Sequence, residues 1–306
     1  MLRRMYISDN GKLQEDDNVQ PLVHIYTSPT EAEKRELVEK YKIDEHTLNS
    51  SLDPDELSRL EFEPEHTAMI FKRPRHYVAE DQFLFKVAST GVFMFKDKLI
   101  IVTAEEVPLF EGKPFINVKS IQDILLKLIN RSIFHFLEHL KAINMLSTEI
   151  EQLISTSMEN KYLLNLFTLE KSLVYYLNAV NSNAVLIERL KNNAGKIGFG
   201  PEHIEFLDDL IIENNQCREQ ANIYSQVLSS LMDARASIIA NNLNIRIKML
   251  TILTIAIMLP TLVVSIFSMN VKIPFASNEP VSFWIISALA ALATATFSFL
   301  WWKKRW

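Results

Sequence analysis

The stretch NNLNIRIKMLTILTIAIMLPTLVVSIFSMN, residues 241–270, decides how this chain folds. No charged residue occurs from Met249 to Val271, and Arg246 and Lys248 stand just before that run. About 20 apolar residues, rising about 1.5 Å each in an α-helix, cross the roughly 30 Å hydrocarbon core of a bilayer. The stretch is therefore predicted to be a membrane-spanning helix.

Polar residues recur along one side of this predicted helix, at steps of three and four residues. A helix that faces only lipid has no need for a line of hydroxyl groups, whereas a helix that packs on copies of itself around a wet path does. The apolar members of the stripe are expected to form constrictions that close by dewetting. The predicted pore-lining residues are Asn244, Ile247, Leu250, Thr251, Thr254, Met258, Thr261 and Ser265.

The same polar phase continues toward the N-terminus of the chain. Small and polar residues occupy one side there, and apolar residues suited to packing on another helix occupy the opposite side. An ordinary solvated surface would give a similar pattern, so both interpretations stay open. The polar positions are Gln226, Ser230, Asp233 and Ser237, and the apolar ones are Tyr224, Leu228, Leu231 and Ile238.

A second uncharged stretch, residues 280–302, follows after a short connection and has tryptophans near both ends, as interfacial segments do. The two spans, about 249–270 and 281–302, are thus expected to form a hairpin. Basic residues flank its open end, and Lys272 is the only basic residue in the connection. The positive-inside rule places both termini in the cytoplasm.

The N-terminal part reads as an α/β or α+β domain. Short runs rich in Val, Ile and Phe predict strands at residues 4–7, 22–26, 60–72, 83–95 and 98–104. Ser28-Pro29-Thr30-Glu31 is predicted to open a helix that runs to about Tyr41, and Asp44 to cap a second one. Further helices are predicted over 117–158, 160–194 and, without a break, from Pro201 to Ser268. The expected organisation is a cytoplasmic domain (1–116), a long-helix region (117–246) and a transmembrane hairpin with a basic tail (247–306).

Several function classes are disfavoured by composition and motif. The net charge of −5 and the lack of a basic run outside the C-terminus argue against nucleic acid. There is no P-loop, no N-terminal signal sequence, and one cysteine, Cys217, which fits a reducing compartment. The run His135-Phe-Leu-Glu138-His139 matches the H-x-x-E-H motif of zinc peptidases, but no third zinc ligand is evident. We therefore interpret these residues as part of the helix packing and not as a zinc site. No enzyme activity and no organic cofactor are predicted.

The first membrane-spanning stretch and the C-terminal tail resemble those of a known family. The order Asn244, Lys248, Leu250-Thr251, Leu259-Pro260-Thr261 and Met269-Asn270 is similar to the first transmembrane helix of the CorA-type magnesium transporters, and the tail Trp301 to Trp306 is similar to their basic, aromatic C-terminus. That family closes the helix with Gly-Met-Asn, whereas this chain has Ser268-Met269-Asn270. The resemblance is specific over roughly the last 60 residues.

The resemblance implies a homopentamer in the inner (plasma) membrane that passes Mg²⁺, with Ser268, Met269 and Asn270 as selectivity filter. It also implies regulatory Mg²⁺ held between subunits. On the family pattern, Asp209 coincides with a carboxylate that holds this ion and Asp233 with an acidic position along the stalk. Glu80 and Asp81 are proposed as partners across that interface. The expected partners are other copies of the chain, the bilayer and divalent cations.

Two alternatives stay open. Ser268 in place of glycine, and a connection in which Glu279 is the only acid, suggest weaker capture of cations at the outer mouth. A zinc, cobalt or nickel transporter of the same architecture would fit these departures. A two-span scaffold or sensor that conducts nothing would use the hydroxyl stripe only for packing between helices.

Overall fold

The computed structural model describes residues 2–8, 11–15, 21–78, 81–106, 109–110, 115, 117–156, 160–269 and 279–304. The chain forms two compact units, Met1–Met232 and Asp233–Trp306. The strands are β1 (Leu2–Ile7), β2 (Leu13–Gln14), β3 (Val23–Thr27), β4 (Arg59–Phe62), β5 (Thr67–Pro74), β6 (Val87–Met94) and β7 (Leu99–Thr103). The helices are α1 (Glu31–Tyr41), α2 (Glu45–Ser50), α3 (Ile121–Thr156), α4 (Asn160–Asn192), α5 (Ala194–Ile197), α6 (Pro201–Phe267) and α7 (Glu279–Lys304).

The first two helices begin where the sequence predicts, each directly after a capping residue. Thr30 caps α1: its hydroxyl accepts from the backbone N–H of Glu33, and the Glu33 carboxylate accepts in return from the Thr30 N–H. Asp44 caps α2 by accepting from the Thr47 N–H at 2.8 Å, which lowers the pKa of the Asp44 carboxyl. The predicted starts of both helices are confirmed.

The strands form one sheet in the order β2-β1-β3-β7-β6-β5-β4. The central pair, β3 and β7, is parallel, with Ile25 opposite Ile101, and the other neighbouring pairs are antiparallel. A parallel pair needs a crossover connection. Here α1, α2 and the three strands β4 to β6 lie between its two members in sequence.

One strand prediction is wrong. Residues 60–72 were expected to form a single strand, but they form most of two, β4 and β5, which pair antiparallel across a turn. Within that turn the Glu63 N–H donates to the His66 carbonyl at 2.9 Å. The dipeptide Pro64-Glu65 supplies the turn that interrupts the run of β-forming residues. The sequence also missed β2, which is two residues long.

Helices cover both faces of the sheet, so the first unit has three layers. Alternate strand residues point to opposite faces: Ile101 belongs to the larger core with α3 and α4, whereas Ile100 and Val102 pack in the smaller core with α1 and α2. Gly91 of β6 allows α2 to come close, because a Cβ there would lie 2.4 Å from the Cβ of Ser51.

A buried side-chain amide ties α4 to β5. The Asn183 Oδ1 accepts from the Lys72 N–H at 2.8 Å, and its Nδ2 donates to the Lys72 carbonyl at 2.8 Å, as a neighbouring strand would. The Ser58 hydroxyl donates to the same Oδ1 at 2.8 Å, and Ser132 Oγ also donates to the Lys72 carbonyl. Asn183 is 1% exposed, so these groups have no access to water.

The initial part of α6 belongs to the first unit and packs one side against the other elements of that unit. Its buried residues recur at three and four positions, and Asn214 donates to the Val180 carbonyl of α4 at 3.1 Å. The helix then continues through Pro260 to Phe267, so the predicted unbroken helix is confirmed to within one residue. The buried residues of this side are Leu207, Leu210, Asn214, Cys217, Ala221 and Leu228.

The second unit contains the end of α6 together with α7. Both carry a stretch long and apolar enough to cross a membrane, and almost none of either stretch is buried within the chain. The predicted architecture, an α+β domain followed by long helices and two apolar helices, is confirmed. The domain boundaries at 116 and 246 stay predictions, because residue 116 lies outside the described residues and residue 246 lies inside one continuous helix.

Candidate ion-conduction path

The predicted pore-lining stripe lies on a side of α6 that the described part of the chain leaves open. Its apolar members are well over one-third exposed, with Leu250 at 65% and Met258 at 62%. Large apolar side chains are rarely left open on so long a surface unless lipid or another chain covers them. The exposed stripe residues are Asn244, Ile247, Leu250, Thr251, Thr254, Met258, Thr261 and Ser265.

The threonine hydroxyls of the stripe all have the same orientation. Thr251 donates to the Ile247 carbonyl at 2.9 Å, and Thr254 to the Leu250 carbonyl at 2.8 Å. Thr261 donates to the carbonyl four residues earlier at 2.8 Å. A hydroxyl has one proton and two lone pairs, so a proton given to the helix backbone leaves the oxygen as an acceptor. The stripe therefore presents oxygen atoms that can face a cation or its waters.

The side of α6 opposite the stripe faces α7. Ile252, Leu259 and Val263 are half-buried there and recur at helical spacing, roughly on the far side of the helix at 100° per residue. A cavity of about 620 Å³ separates the two helices, with Ile252, Ile255, Phe297 and Leu300 in its lining, and the stripe residue Thr251 at its border. Contacts within the chain thus use the aliphatic side and leave most of the hydroxyl side open.

The altered residue of the predicted filter fits the end of the helix without strain. Ser268 follows the last residue of α6, its N–H donates to the Val264 carbonyl at 3.0 Å, and its hydroxyl donates to the Ser265 carbonyl at 2.9 Å. Its φ angle is not positive, so this position does not need glycine. Met269 is 57% exposed. Asn270, the third filter residue, lies outside the described residues.

The predicted regulatory carboxylates differ in what they contact. Asp209 and Asp233 are exposed on α6. Asp81, in contrast, is held by its own chain: Lys86 Nζ lies 2.7 Å from its Oδ1, and this ion pair lowers the pKa of the Asp81 carboxyl. Glu80 lies outside the described residues. The structure therefore leaves Asp209 and Asp233 open to a partner and engages Asp81 elsewhere.

Glu213 is a candidate that the sequence interpretation did not select. It follows Asp209 by four residues, so the two carboxylates lie on one side of α6. Burial raises the pKa of Glu213, and the charge of Asp209 adds to the increase. Glu213 Oε2 is buried and has no hydrogen-bond donor in the part of the chain that the structure describes. Two adjacent acids, one short of a partner, favour a cation between them.

Asp208 is engaged differently from its neighbour Asp209. Its carboxylate forms an ion pair with the Lys191 ammonium of α4. Among the described residues, no three His, Cys, Asp or Glu side chains come together as a metal site. Any divalent ion bound at Asp209 therefore needs further ligands, from water or from a second chain.

Comparison with known proteins identifies the architecture. Residues 24–304 match the family model described as "CorA-like Mg2+ transporter protein". The cobalt/magnesium transport protein CorA of Methanocaldococcus jannaschii is 23% identical over 91% of this chain and 89% of its own length.

Solved structures agree in fold. The complete CorA magnesium transporter from M. jannaschii superposes with a TM-score of 0.82 at 20% identity, covering 98% of this chain and 97% of its own. The full-length CmaX protein gives a TM-score of 0.74 at 14% identity, with 99% and 98% covered. The family match extends over most of the sequence and includes both apolar helices. The chain belongs to the CorA-like Mg²⁺ transporter family, a family of divalent-cation membrane transporters and not of enzymes.

Proposed function

We propose that this chain assembles into a homo-oligomer, most simply a pentamer, that conducts Mg²⁺ along a path lined by α6. The observation that carries the proposal is the exposed stripe of hydroxyl oxygens on α6, of which Thr251 also borders the cavity toward α7. Two spans in one chain are too few to enclose an ion path. Several copies of α6 around a common axis supply one.

The ion would pass in hydrated form at the outer mouth. Mg²⁺ gives up its water reluctantly, and proteins usually hold it with several waters in place. A ring of Asn270 side-chain oxygens can bind that water shell without removing it. Further along, Thr261, Ser265 and Asn244 offer neutral oxygens, and Ile247, Leu250 and Met258 form apolar constrictions that close by dewetting.

The membrane potential supplies the driving force in this proposal. One elementary charge moving through 100 mV gains about 2.3 kcal/mol, so a divalent ion gains about twice that. With both termini in the cytoplasm of a cell with an inner (plasma) membrane, an interior-negative potential draws Mg²⁺ inward. This orientation follows from the basic residues Arg246, Lys248, Lys303 and Lys304, which flank the two spans at one end.

Cobalt is the second candidate ion, because the M. jannaschii relative is named a cobalt/magnesium transport protein. Zinc and nickel follow from the same architecture. The stripe has no thiolate, and Met258 is its one soft donor. Its other polar groups are neutral oxygen ligands, which favour the hard ion Mg²⁺ over the transition metals. Cys217, the single cysteine, is buried on α6 outside the predicted path.

Uptake into liposomes containing the purified full-length protein tests this function. We expect Mg²⁺ to enter when the interior is negative and to enter little without a potential. Co²⁺, Zn²⁺ and Ni²⁺ at equal concentration rank the ion preference. Empty liposomes are the control. A scaffold that conducts nothing predicts no uptake of any divalent ion, and a stable monomer or dimer in a detergent mass measurement would contradict the channel.

Regulation is proposed to act through Asp209 and its neighbour Glu213. Carboxylates brought close between subunits repel one another unless a cation lies between them, so bound Mg²⁺ favours a tight, closed ring. Loss of the ion then loosens the ring. The ion can shift this equilibrium only as far as its affinities for the closed and open states differ.

We expect Asp209→Ala to weaken the closing effect of cytoplasmic Mg²⁺. Removing the carboxylate lowers the affinity of the closed state for the ion, so the concentration for half-inhibition should rise about fivefold or more. The measurement is Mg²⁺ uptake against internal Mg²⁺ concentration. Protection from proteolysis by Mg²⁺ should fall in parallel.

Asp208→Ala is the matched control for this variant. Asp208 points about 100° away around the helix and already pairs with Lys191. Its loss should leave Mg²⁺ inhibition near that of the original protein. If Asp209→Ala and Asp208→Ala both retain full inhibition and protection, Asp209 is only a solvated surface acid.

A further inference from the structure

A cavity of about 340 Å³ lies between the end of β5 and α3, in the first unit. It is separate from the predicted ion path, and it contains the His-x-x-Glu-His run that transport does not use. Its polar lining combines two guanidinium groups, three imidazoles and one carboxylate. These are Arg73, His76, Arg131, His135, Glu138 and His139.

Arg73 is an unusual group to find in such a place, because it is only 3% exposed. Its Nη1 lies 3.1 Å from Glu105 Oε1, and its Nε donates to Thr90 Oγ1 at 3.1 Å. Its Nη2 is buried and has no acceptor among the described residues. A buried charged donor without a partner is costly, and an acceptor supplied by a ligand would remove that cost.

The two histidines of α3 are adjacent, with ring centroids 4.4 Å apart. Burial lowers the pKa of His135 to about 3, and the nearby basic side chains of His139, Arg131, Arg73 and His76 add to the decrease. Burial also lowers the pKa of His139 to about 4, and His76 adds to the shift. Both imidazoles are therefore neutral at pH 7.

The charged groups around the histidines come from each element packed there. Arg131 and Glu138 belong to α3 itself, and Arg73 is on β5. Glu105 follows β7 and pairs with Arg73, while the Tyr176 hydroxyl of α4 shares a hydrogen bond with His139 Nδ1. The ion pair between Arg131 and Glu138 is long, at 3.4 Å, and Glu138 is largely exposed. Arg131 is thus only weakly neutralised by Glu138, which also lines the cavity.

A zinc site does not explain this cluster. The described residues hold no group of three side chains able to bind a metal. His139 also has one ring nitrogen engaged with the Tyr176 hydroxyl. Guanidinium groups next to the imidazoles would repel a metal cation and attract an anion.

We propose that this cavity binds the oxyanion of a phosphomonoester, held by Arg73, Arg131 and the His135–His139 pair. Guanidinium groups suit tetrahedral oxyanions because they present several N–H donors in a fixed fork. The volume exceeds that of an ion alone, since a water occupies about 30 Å³ in the liquid. Phe71, Tyr77 and Leu128, also in the lining, can cover the organic part of the ester. The proposal is independent of the transported ion.

Binding of the anion is coupled to protons. A dianion beside the imidazoles favours their charged forms, so the pKa values of His135 and His139 rise and the protein takes up protons on binding. The Tyr176 hydroxyl can accept from a protonated His139 Nδ1, since a hydroxyl both donates and accepts. Affinity for the anion should therefore increase as the pH falls from 7 to 5.

Calorimetry on the purified full-length protein tests the proposal. Sulfate is the first probe, because it stays a dianion throughout this pH range and any proton uptake comes from the protein. We expect its affinity to rise about tenfold between pH 7 and pH 5. The heat should depend on the ionisation enthalpy of the buffer, as it does when protons are taken up. Phenyl phosphate, compared with sulfate at pH 7, where it is mainly a dianion, should bind at least as tightly.

Two variants locate the site. Arg131→Gln should weaken sulfate binding about tenfold or more, and His135→Gln should reduce the proton uptake. Arg189→Gln removes a positive charge from an exposed position on α4 and serves as the control. Unchanged thermal unfolding shows that each variant is folded. If sulfate does not bind at millimolar concentration at pH 5, or if neither cavity variant changes its binding, the proposal is wrong. If phenyl phosphate binds more weakly than sulfate at pH 7, the site does not bind a phosphomonoester.

Discussion

Asn270→Ala is expected to abolish Mg²⁺ uptake while leaving the oligomer assembled. In the proposed pore, Asn270 supplies the side-chain oxygens that bind the hydrated ion at the outer mouth. Alanine has no oxygen there, so the ion would meet the mouth with only backbone carbonyls to replace bulk water. In a homo-oligomer the substitution removes Asn270 from every subunit, so the hydrated ion loses several contacts at once. The expected effect is therefore large.

Liposome uptake and a detergent mass measurement together check this result. Asn278→Ala is the matched control, since it removes the same amide from a nearby position in the same connection. Ser268→Gly restores the Gly-Met-Asn motif of the family and should keep or increase Mg²⁺ uptake. Full uptake with unchanged ion preference in Asn270→Ala would show that the Ser-Met-Asn sequence does not act as a filter here.

Asn183→Ala is expected to have the largest effect on the stability of the first unit. Its side chain pairs with the buried backbone of Lys72 and accepts from the Ser58 hydroxyl. Alanine leaves the Lys72 N–H and the Ser58 hydroxyl without this acceptor, and each buried unpaired group costs about 1–3 kcal/mol. The Lys72 carbonyl keeps its bond from Ser132. We expect a loss of roughly 2–4 kcal/mol in the free energy of unfolding.

Thermal unfolding of the full-length protein, followed by susceptibility to protease, measures this loss. A unit of this size should unfold at a temperature lower by about 5–10 °C. Asn178→Ala is the control, because Asn178 is exposed on the same helix and its removal should have little effect. Equal unfolding temperatures for the two variants would mean that the backbone of Lys72 finds other partners.

Local signals in the sequence predict the helices well and the sheet less well. Thr30 and Asp44 act through contacts within three residues, so their caps can be recognised without the fold. The parallel pairing of β3 with β7 joins Val23 to Leu99, far apart in the chain, and no local pattern reports it. Residues 60–72 show the same limit, because a two-residue turn is easily lost among strongly β-forming neighbours.

The candidate site divides in the same way. The stripe from Thr251 to Ser265 follows from helical spacing alone, whereas its exposure is known only from the structure. The states of Asp81 and Glu213 depend on side chains brought close by the fold, such as Lys86 at 2.7 Å from Asp81. The oxyanion cavity combines β5 with α3, which only the tertiary structure brings together.

The threonine hydroxyls point their protons at the backbone of their own helix, and this affects how the proposed pore distinguishes cations from anions. Thr251, Thr254 and Thr261 donate their hydroxyl protons to backbone carbonyls of α6. These three hydroxyls therefore offer only oxygen lone pairs to their surroundings. An anion beside these atoms would find no hydrogen-bond donor to replace its waters. A cation would find oxygen lone pairs that can replace its waters. In the proposed pore, this stretch between the amide groups of Asn244 and Asn270 would disfavour chloride without a fixed charge, and it would pass a strongly charged cation without trapping it.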